Sequence, residues 1–376
     1  LSLTAGAGSA TALLLFAGLL FAQAPAGPVR PPAGAQPQQP AQRGEEQEPI
    51  RVRVELVTTP VTVTDSAGEL VMDLQPSDFR VYDNNVEQRI EDFDLGGDPL
   101  SVVIVFERST RAEVFMPAVR RTGILFTQVV LGQTGEAALL TYDDRVERLL
   151  DFTSDHEAIE KAVAGLRLGT RGARMHDALA QAVGMLRRRP DGRRRVVILV
   201  GLPRDQGSET PLGAVLREAQ LNSITIYTVA LSPTAAALRA PPQRAGNPSP
   251  FPEGVQPAPG IPGQPQTPTT QQHARGQVDI LNAIMFLVQT AGNAVGQNSL
   301  ELASAGTGGR YVPTFRDRSI DRAIDEIGGE LHAQYTLTYR PTGVEPAGYH
   351  EIRIELRRPG LTARARPGYF LAPPQN

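Results

Sequence analysis

The chain has 376 residues, enough for two domains, and its 41% hydrophobic and 20% charged residues are the balance of a globular protein, not a disordered one. A net charge of −3 argues against a general nucleic-acid binder, and Lys161 is the only lysine among 37 basic residues, a skew to which no function attaches. The absence of cysteine excludes a disulfide framework, a thiolate zinc site, a cysteine nucleophile and a lipid-modified cysteine anchor.

Ala10–Ala22 is an apolar run that exits through Gln23-Ala24-Pro25-Ala26. It is too short to span a bilayer comfortably, which takes about 20 residues. Its length and small-residue exit read as a secretory signal peptide over 1–24, with an uncleaved anchor as the alternative. The body is therefore expected to be secreted or periplasmic, with no stable membrane span after cleavage. Residues 25–49, rich in Pro, Gln and Gly, read as a disordered linker.

Over residues 50–97 the pattern changes. Val52, Val54 and Leu56 alternate with charged residues, and Val61 and Val63 with Thr62 and Thr64; Asp65-Ser66-Ala67-Gly68 and Asp83-Asn84-Asn85 supply turns. Period-two alternation with regular turns reads as an antiparallel β unit. Three or four short strands are too few to bury a core alone.

Residues 98–313 alternate strand and helix. Val102–Phe106 is an unbroken apolar run, suited to a strand buried on both faces, and it stops at Glu107, Ser109 and Arg111. Val114–Leu131 has helical spacing, Glu136–Tyr142 is a second strand, and Val146–Phe152 its antiparallel neighbour. Asp155–Leu166, opening on Ser154 or Asp155 as cap, and Met175–Leu186 read as helices. Arg195–Gly201, Pro211–Asn222 and Ile224–Leu231 continue as strand, helix and strand. This order implies an α/β fold with a doubly wound, mostly parallel sheet. Ligands of such sheets sit beyond the carboxyl ends of the strands, so Glu107, Ser109 and Arg111 point into the expected binding position.

Arg187–Arg189 and Arg193–Arg195 flank Pro190-Asp191-Gly192. With no aromatic residue between them they read as cations at a helix carboxyl end and a turn, not a nucleic-acid patch. Asp143-Asp144 reads as a solvated polar turn. Residues 232–276, dense in Pro, Gly and Gln, are expected to be a disordered insertion, and Ile280–Val288 a core helix. In residues 314–376, Ile320, Ile324, Ile327 and Leu331 share one face of a helix over Ser319–His332. Strands over Gln334–Arg340, His350–Arg357 and Leu361–Arg366 end the chain. Pairing these with the amino-terminal strands gives a sandwich of ordinary size, with the α/β domain inserted between its halves.

Several segments together carry a family likeness: Asp65-Ser66-Ala67-Gly68, Leu74-Gln75-Pro76-Ser77-Asp78-Phe79 with Tyr82, Val102–Arg111, His176-Asp177-Ala178-Leu179, Val197–Asp205, Thr307-Gly308-Gly309-Arg310 and Ala365-Arg366-Pro367-Gly368-Tyr369-Phe370. From about Ile50 to Phe370 the chain resembles the von Willebrand factor A-like proteins found in acidobacteria, secreted proteins with a Rossmann-like A-type domain between β-rich flanks. The resemblance implies a metal-ion-dependent adhesion site: D-x-S-x-S after the first strand, a threonine ahead of the second helix, and an aspartate after the fourth strand. Such oxygens suit a hard cation such as Mg2+. Here Glu107 stands at the aspartate, Ser109 matches, Arg111 replaces the second serine, Ala173 stands at the threonine, and Leu202-Pro203 replaces Asp-Gly with Asp205 nearby. The site is thus expected to be degenerate and to hold no metal; were a rearranged cation site to form, Glu107, Ser109, Thr170 and Asp205 would be its ligands.

Enzyme motifs are missing. The five histidines lack metal-ligand spacing, and there is no P-loop, G-x-S-x-G or H-E-x-x-H. The expectation is a non-enzymatic protein-interaction or adhesion module without cofactor, binding an unidentified protein partner through Glu107, Ser109, Arg111, Thr170 and Asp205. The alternatives are a cation-dependent adhesin and an extracytoplasmic hydrolase.

Overall fold

The computed structural model describes residues 56–231, 282–290, 292, 298–314, 317–344 and 347–371. The expected signal peptide, linker and insertion lie outside them. Strands β1 (Val57–Thr64), β2 (Phe79–Asp83), β3 (Val86–Gln88) and β4 (Ile90–Leu95) come first. Interleaved with helices follow β5 (Leu100–Glu107), β6 (Glu136–Tyr142), β7 (Val146–Thr153), β8 (Arg194–Gly201), β9 (Ile224–Leu231) and β10 (Tyr311–Thr314). β11 (Tyr335–Tyr339), β12 (Gly348–Leu356), β13 (Thr362–Ala365) and β14 (Gly368–Leu371) close the chain.

β5 is the axis of the fold. All eight of its residues are buried, because the strand is covered on both faces. Val102, Ile104 and Phe106 enter one apolar layer and Val103 and Val105 the other. Each such side chain contributes roughly 1.5–3 kcal/mol when fully buried. The central sheet runs β10-β9-β8-β5-β6-β7, parallel throughout except for β7, which pairs antiparallel with β6. The helices His156–Ala164 and Asp317–His332 cover the first face; Ile320, Ile324, Ile327 and Leu331 of the latter are all fully buried in that layer. Met175–Leu186, Leu212–Leu221 and a helix over 282–290 cover the second. The fold is α/β and doubly wound, as the alternation of elements implies.

The flanks complete each other. One antiparallel sheet runs β13-β1-β11-β4 and the other β14-β12-β2-β3, so each mixes strands from both ends of the chain. Val61, Val63, Val81, Leu337 and Tyr339 fill the core between them. The Val/Thr alternation of β1 has a double use. Its valines face that core, while Thr62 turns to the α/β layer, where its Oγ1 donates to Glu330 Oε1 at 3.2 Å and accepts from Gln334 Nε2 at 3.2 Å.

Two local expectations need correction. Val114–Leu131 is not one helix: a 3-10 turn (Thr110–Phe115) and short helical pieces (Met116–Val119, Gly123–Leu125, Phe126–Leu131) bend by 62° between Val119 and Gly123. At the break the buried Thr122 Oγ1 donates to Val119 O at 2.7 Å, and Arg120 Nε reaches Leu166 O at 2.7 Å. Side-chain bonds of this kind compete with the helical ladder. The second correction is β14, which pairs with β12 although Pro367 and Gly368 obscure it in the sequence. Elsewhere the capping expectation holds, since Asp155 Oδ1 accepts Ala158 N at 3.2 Å. Among the described residues no single helix is long and apolar enough to cross a membrane.

Candidate functional site

β5 has β6 on one side and β8 on the other, so the chain switches direction across the sheet at this strand. The crevice beyond such a switch point is where open α/β sheets place their ligands. Four loops meet there: 108–115 after β5, 143–145 after β6, 165–174 between helices, and 202–211 after β8. Direct bonds tie them together. Gly169 N donates to Arg108 O at 2.8 Å, Thr110 N to Thr170 O at 2.9 Å, and Arg174 N to Asp143 O at 2.9 Å. Ala173 and Gln206 exchange both backbone bonds, at 3.1 and 2.8 Å.

Glu107 lies at the bottom of the crevice, 1% exposed. Its Oε1 accepts Ser109 Oγ at 2.5 Å, and its Oε2 accepts Leu202 N at 2.6 Å and Tyr142 Oη at 3.4 Å. Burial raises its pKa above the ordinary glutamate value; these donors and the charge of Arg111 pull the other way without cancelling the effect. Burial, reinforced by Glu107, also pushes the Tyr142 phenol well up. Ser109 is fully buried. The close packing demands Gly201: a Cβ there would lie 2.2 Å from Tyr142 Oη. Arg111 is half-buried, with Nη1 donating to Gln206 Oε1 at 3.1 Å.

Thr170 and Asp205 lie on neighbouring loops with other partners. Thr170 N donates to Asp143 Oδ2 at 3.1 Å, and its Oγ1 accepts Asp144 N at 3.2 Å. Asp205 Oδ1 accepts His176 N at 3.0 Å and Ser208 Oγ at 2.6 Å, which makes it the acceptor for an orphan N–H in the first turn of the Met175–Leu186 helix. The structure therefore joins Glu107 to Ser109 directly, and it spends Thr170 and Asp205 on holding the loops.

Sequence reasoning missed Asp143. Asp144 is exposed, but Asp143 is 1% exposed and accepts Arg108 Nε at 3.1 Å, Arg145 N at 3.0 Å and Thr170 N at 3.1 Å. Burial alone would raise its pKa, but the two backbone donors and Arg108 outweigh it and leave the group below the ordinary value. The signal was present: Asp143 stands at the carboxyl end of the strand beside β5, the same position that marks Glu107.

A magnesium ion needs carboxylate and hydroxyl lone pairs turned to one open point at near-octahedral geometry. Here those of Glu107 and Asp205 already receive protein donors, Ala173 brings a methyl group, and Arg111 brings a positive charge close enough to act on Glu107. As placed, this donor set does not fit the ion. No group of three or more His, Asp or Glu among the described residues is arranged to hold a metal.

Residues 102–202, from β5 to the first residue after β8, match the family model of the von Willebrand factor type A domain. The matched stretch is the part of the chain that carries the doubly wound α/β order of that domain. Among solved structures the chain is similar to BatB from Bacteroides thetaiotaomicron (13% identity, 62% of this chain and 98% of that one, TM-score 0.38). It is similar also to an aerotolerance-related membrane protein from Bacteroides fragilis (12%, 61% and 98%, 0.39) and to a von Willebrand factor type A protein from Catenulispora acidiphila (10%, 78% and 73%, 0.43). No curated protein matches the chain.

Proposed function

We propose that this protein is a secreted or periplasmic, non-enzymatic interaction module that docks a protein partner on the four-loop face without a metal ion. The observation that carries the reading is the state of Glu107 and Ser109. An acid and a hydroxyl bonded to each other, both buried and satisfied by the fold, support the loops and are not themselves free to act as base or nucleophile. The type A domain supplies the class of activity, and Glu107, Ser109, Arg111, Thr170 and Asp205 act as the frame and centre of the docking face. A photo-crosslinking residue at Val114 of the full chain tests it. Partner capture at Val114 but not at Arg188, equal with magnesium and with chelator, is the expected result. Capture that requires magnesium would favour the cation-dependent adhesin, and no capture at Val114 would remove the reading.

A further inference from the structure

The four loops sort their charges. Their inward carboxylates are committed: Asp143 to Arg108 and two backbone N–H groups, and Asp205 to His176 N at the start of the Met175–Leu186 helix and to Ser208 Oγ. Arg108 in turn pairs with Asp143 and Glu147, and Arg174 with Asp177 and Glu209. The unpaired charge that remains facing solvent is mostly arginine. Arg145, Arg167, Arg171 and Arg204 are exposed, one or two to a loop, and none makes an ion pair; the exposed carboxylates among them are Glu113, Asp144 and Glu209, the last paired with Arg174. At their centre Arg111 uses one of its five N–H donors on Gln206, which fixes the guanidinium and leaves the rest of the fork available.

Resting on the reading above, we infer that the partner presents an acidic polypeptide segment, and that Arg111 with Arg145, Arg171 and Arg204 binds its carboxylates directly. Guanidinium suits this task because its planar fork meets a carboxylate bidentately and never deprotonates. Three observations select a polypeptide over other polyanions. Val114 is 69% exposed and Leu168 38% exposed on the same loops, so the charged centre has apolar shoulders that a peptide's side chains can cover. The loops also offer no exposed aromatic ring for a base to stack on, and the whole chain's charge of −3 repels a long polyanion while the local patch attracts a short acidic stretch. The residues 232–281 that follow β9 hold only Glu253 and Asp279 as carboxylates, so the chain does not carry a matching segment there.

The test uses the full chain and a fluorescein-labelled oligoglutamate peptide followed by anisotropy in the presence of EDTA. Saturable binding is expected, weakening by about tenfold or more between about 50 and 200 mM salt. Arg111→Gln, and separately the triple variant Arg145→Ser/Arg171→Ser/Arg204→Ser, should each lower affinity about tenfold, while Arg188→Ser at the opposite end leaves it unchanged. The triple variant alters only exposed side chains, so an unchanged circular dichroism spectrum separates lost binding from lost folding. Unchanged affinity in both variants overturns the inference. So does equal competition by heparin or single-stranded DNA, which would mark a general polyanion surface. If crosslinking at Val114 still captures a partner that oligoglutamate cannot displace, the acidic-segment inference fails and the interaction module stands. If nothing is captured at Val114, the module reading fails with it.

Discussion

Arginine does opposite things at the two ends of the central sheet. At the amino end, Arg189 forms a two-bond fork with Glu136 at 2.8 and 2.7 Å, and Arg193 reaches Ser101 Oγ at 2.8 Å and Leu100 O at 2.6 Å. Arg194 donates to Leu331 O at 2.6 Å and to Gln334, and Arg195 to Arg189 O and Asp191 at 2.9 Å each. At the carboxyl end Arg145, Arg167, Arg171 and Arg204 face water. The difference lies in what stands within reach. Strand starts and a helix end leave free carbonyls at one end, whereas backbone N–H groups have already claimed the acids at the other. In sequence the impression is reversed: Arg187–Arg195 is the dense run that suggests a polyanion site, and the surface arginines are scattered singly.

Removing a staple at the amino end should produce the largest effect. Glu136 is the shared acceptor of Arg189, Arg193 and Ser101, so Glu136→Ala removes the counter-charge of two half-buried guanidinium groups and both bonds of the Arg189 fork. A loss of about 2–4 kcal/mol is expected in urea unfolding. At the carboxyl end the equivalent staple is Asp143, and Asp143→Asn should cost about 2 kcal/mol near neutral pH. Its pKa is lowered in the fold, so its contribution is present above the ordinary value of 3.8 and is lost as pH falls through the lowered one. The gap between wild type and Asp143→Asn should therefore close in acid.

Glu107 should behave with the opposite sign. Its pKa is raised, so the folded state holds the proton more tightly than the unfolded chain. The stability this adds is complete below the ordinary value of 4.5 and is lost as pH rises through the raised one. Stability of wild type relative to Glu107→Gln, read from urea midpoints, should decline over that window and then level. The smallest effects belong to the surface arginines. Arg145→Ser, Arg171→Ser and Arg204→Ser should each change stability by less than about 0.5 kcal/mol. A loss comparable to that of Glu136→Ala would erase the contrast between the two ends.

The parts legible in sequence were those with one dominant cause. The apolar run of β5 and the single-face stripe of Ile320, Ile324, Ile327 and Leu331 record burial directly, and Asp155 announces a helix start. The under-sized flanks pointed to each other because neither could bury a core. The rest depends on partners distant in the chain. Thr122 breaks a helix through a bond that periodicity does not encode, and Asp143 resembles any solvated turn residue until Thr170, 27 positions on, is folded against it. Glu107 and Ser109 were visible as a tip. That Leu202 N and Tyr142 would fill the space around them was not, since a backbone donor leaves no mark on residue identity.

The interleaved flanks also set an order of assembly. β1 is the first described strand, yet both of its neighbours, β11 and β13, follow the whole α/β layer in the chain; Thr58 bonds Thr338 across 280 residues. The strands of the α/β layer pair over shorter stretches of chain, as Leu100 does with Arg194, and can close earlier, while β1 waits with both edges bare until β11 and β13 have been made. Non-local pairing of this kind is slow because loop closure must be met before any contact rewards it. During that interval the Val/Thr strand is the segment most exposed to mispairing with another chain. The domain in the middle therefore acts as a clamp: once folded, it brings the two ends of its own chain together and shortens the search that β1 must make.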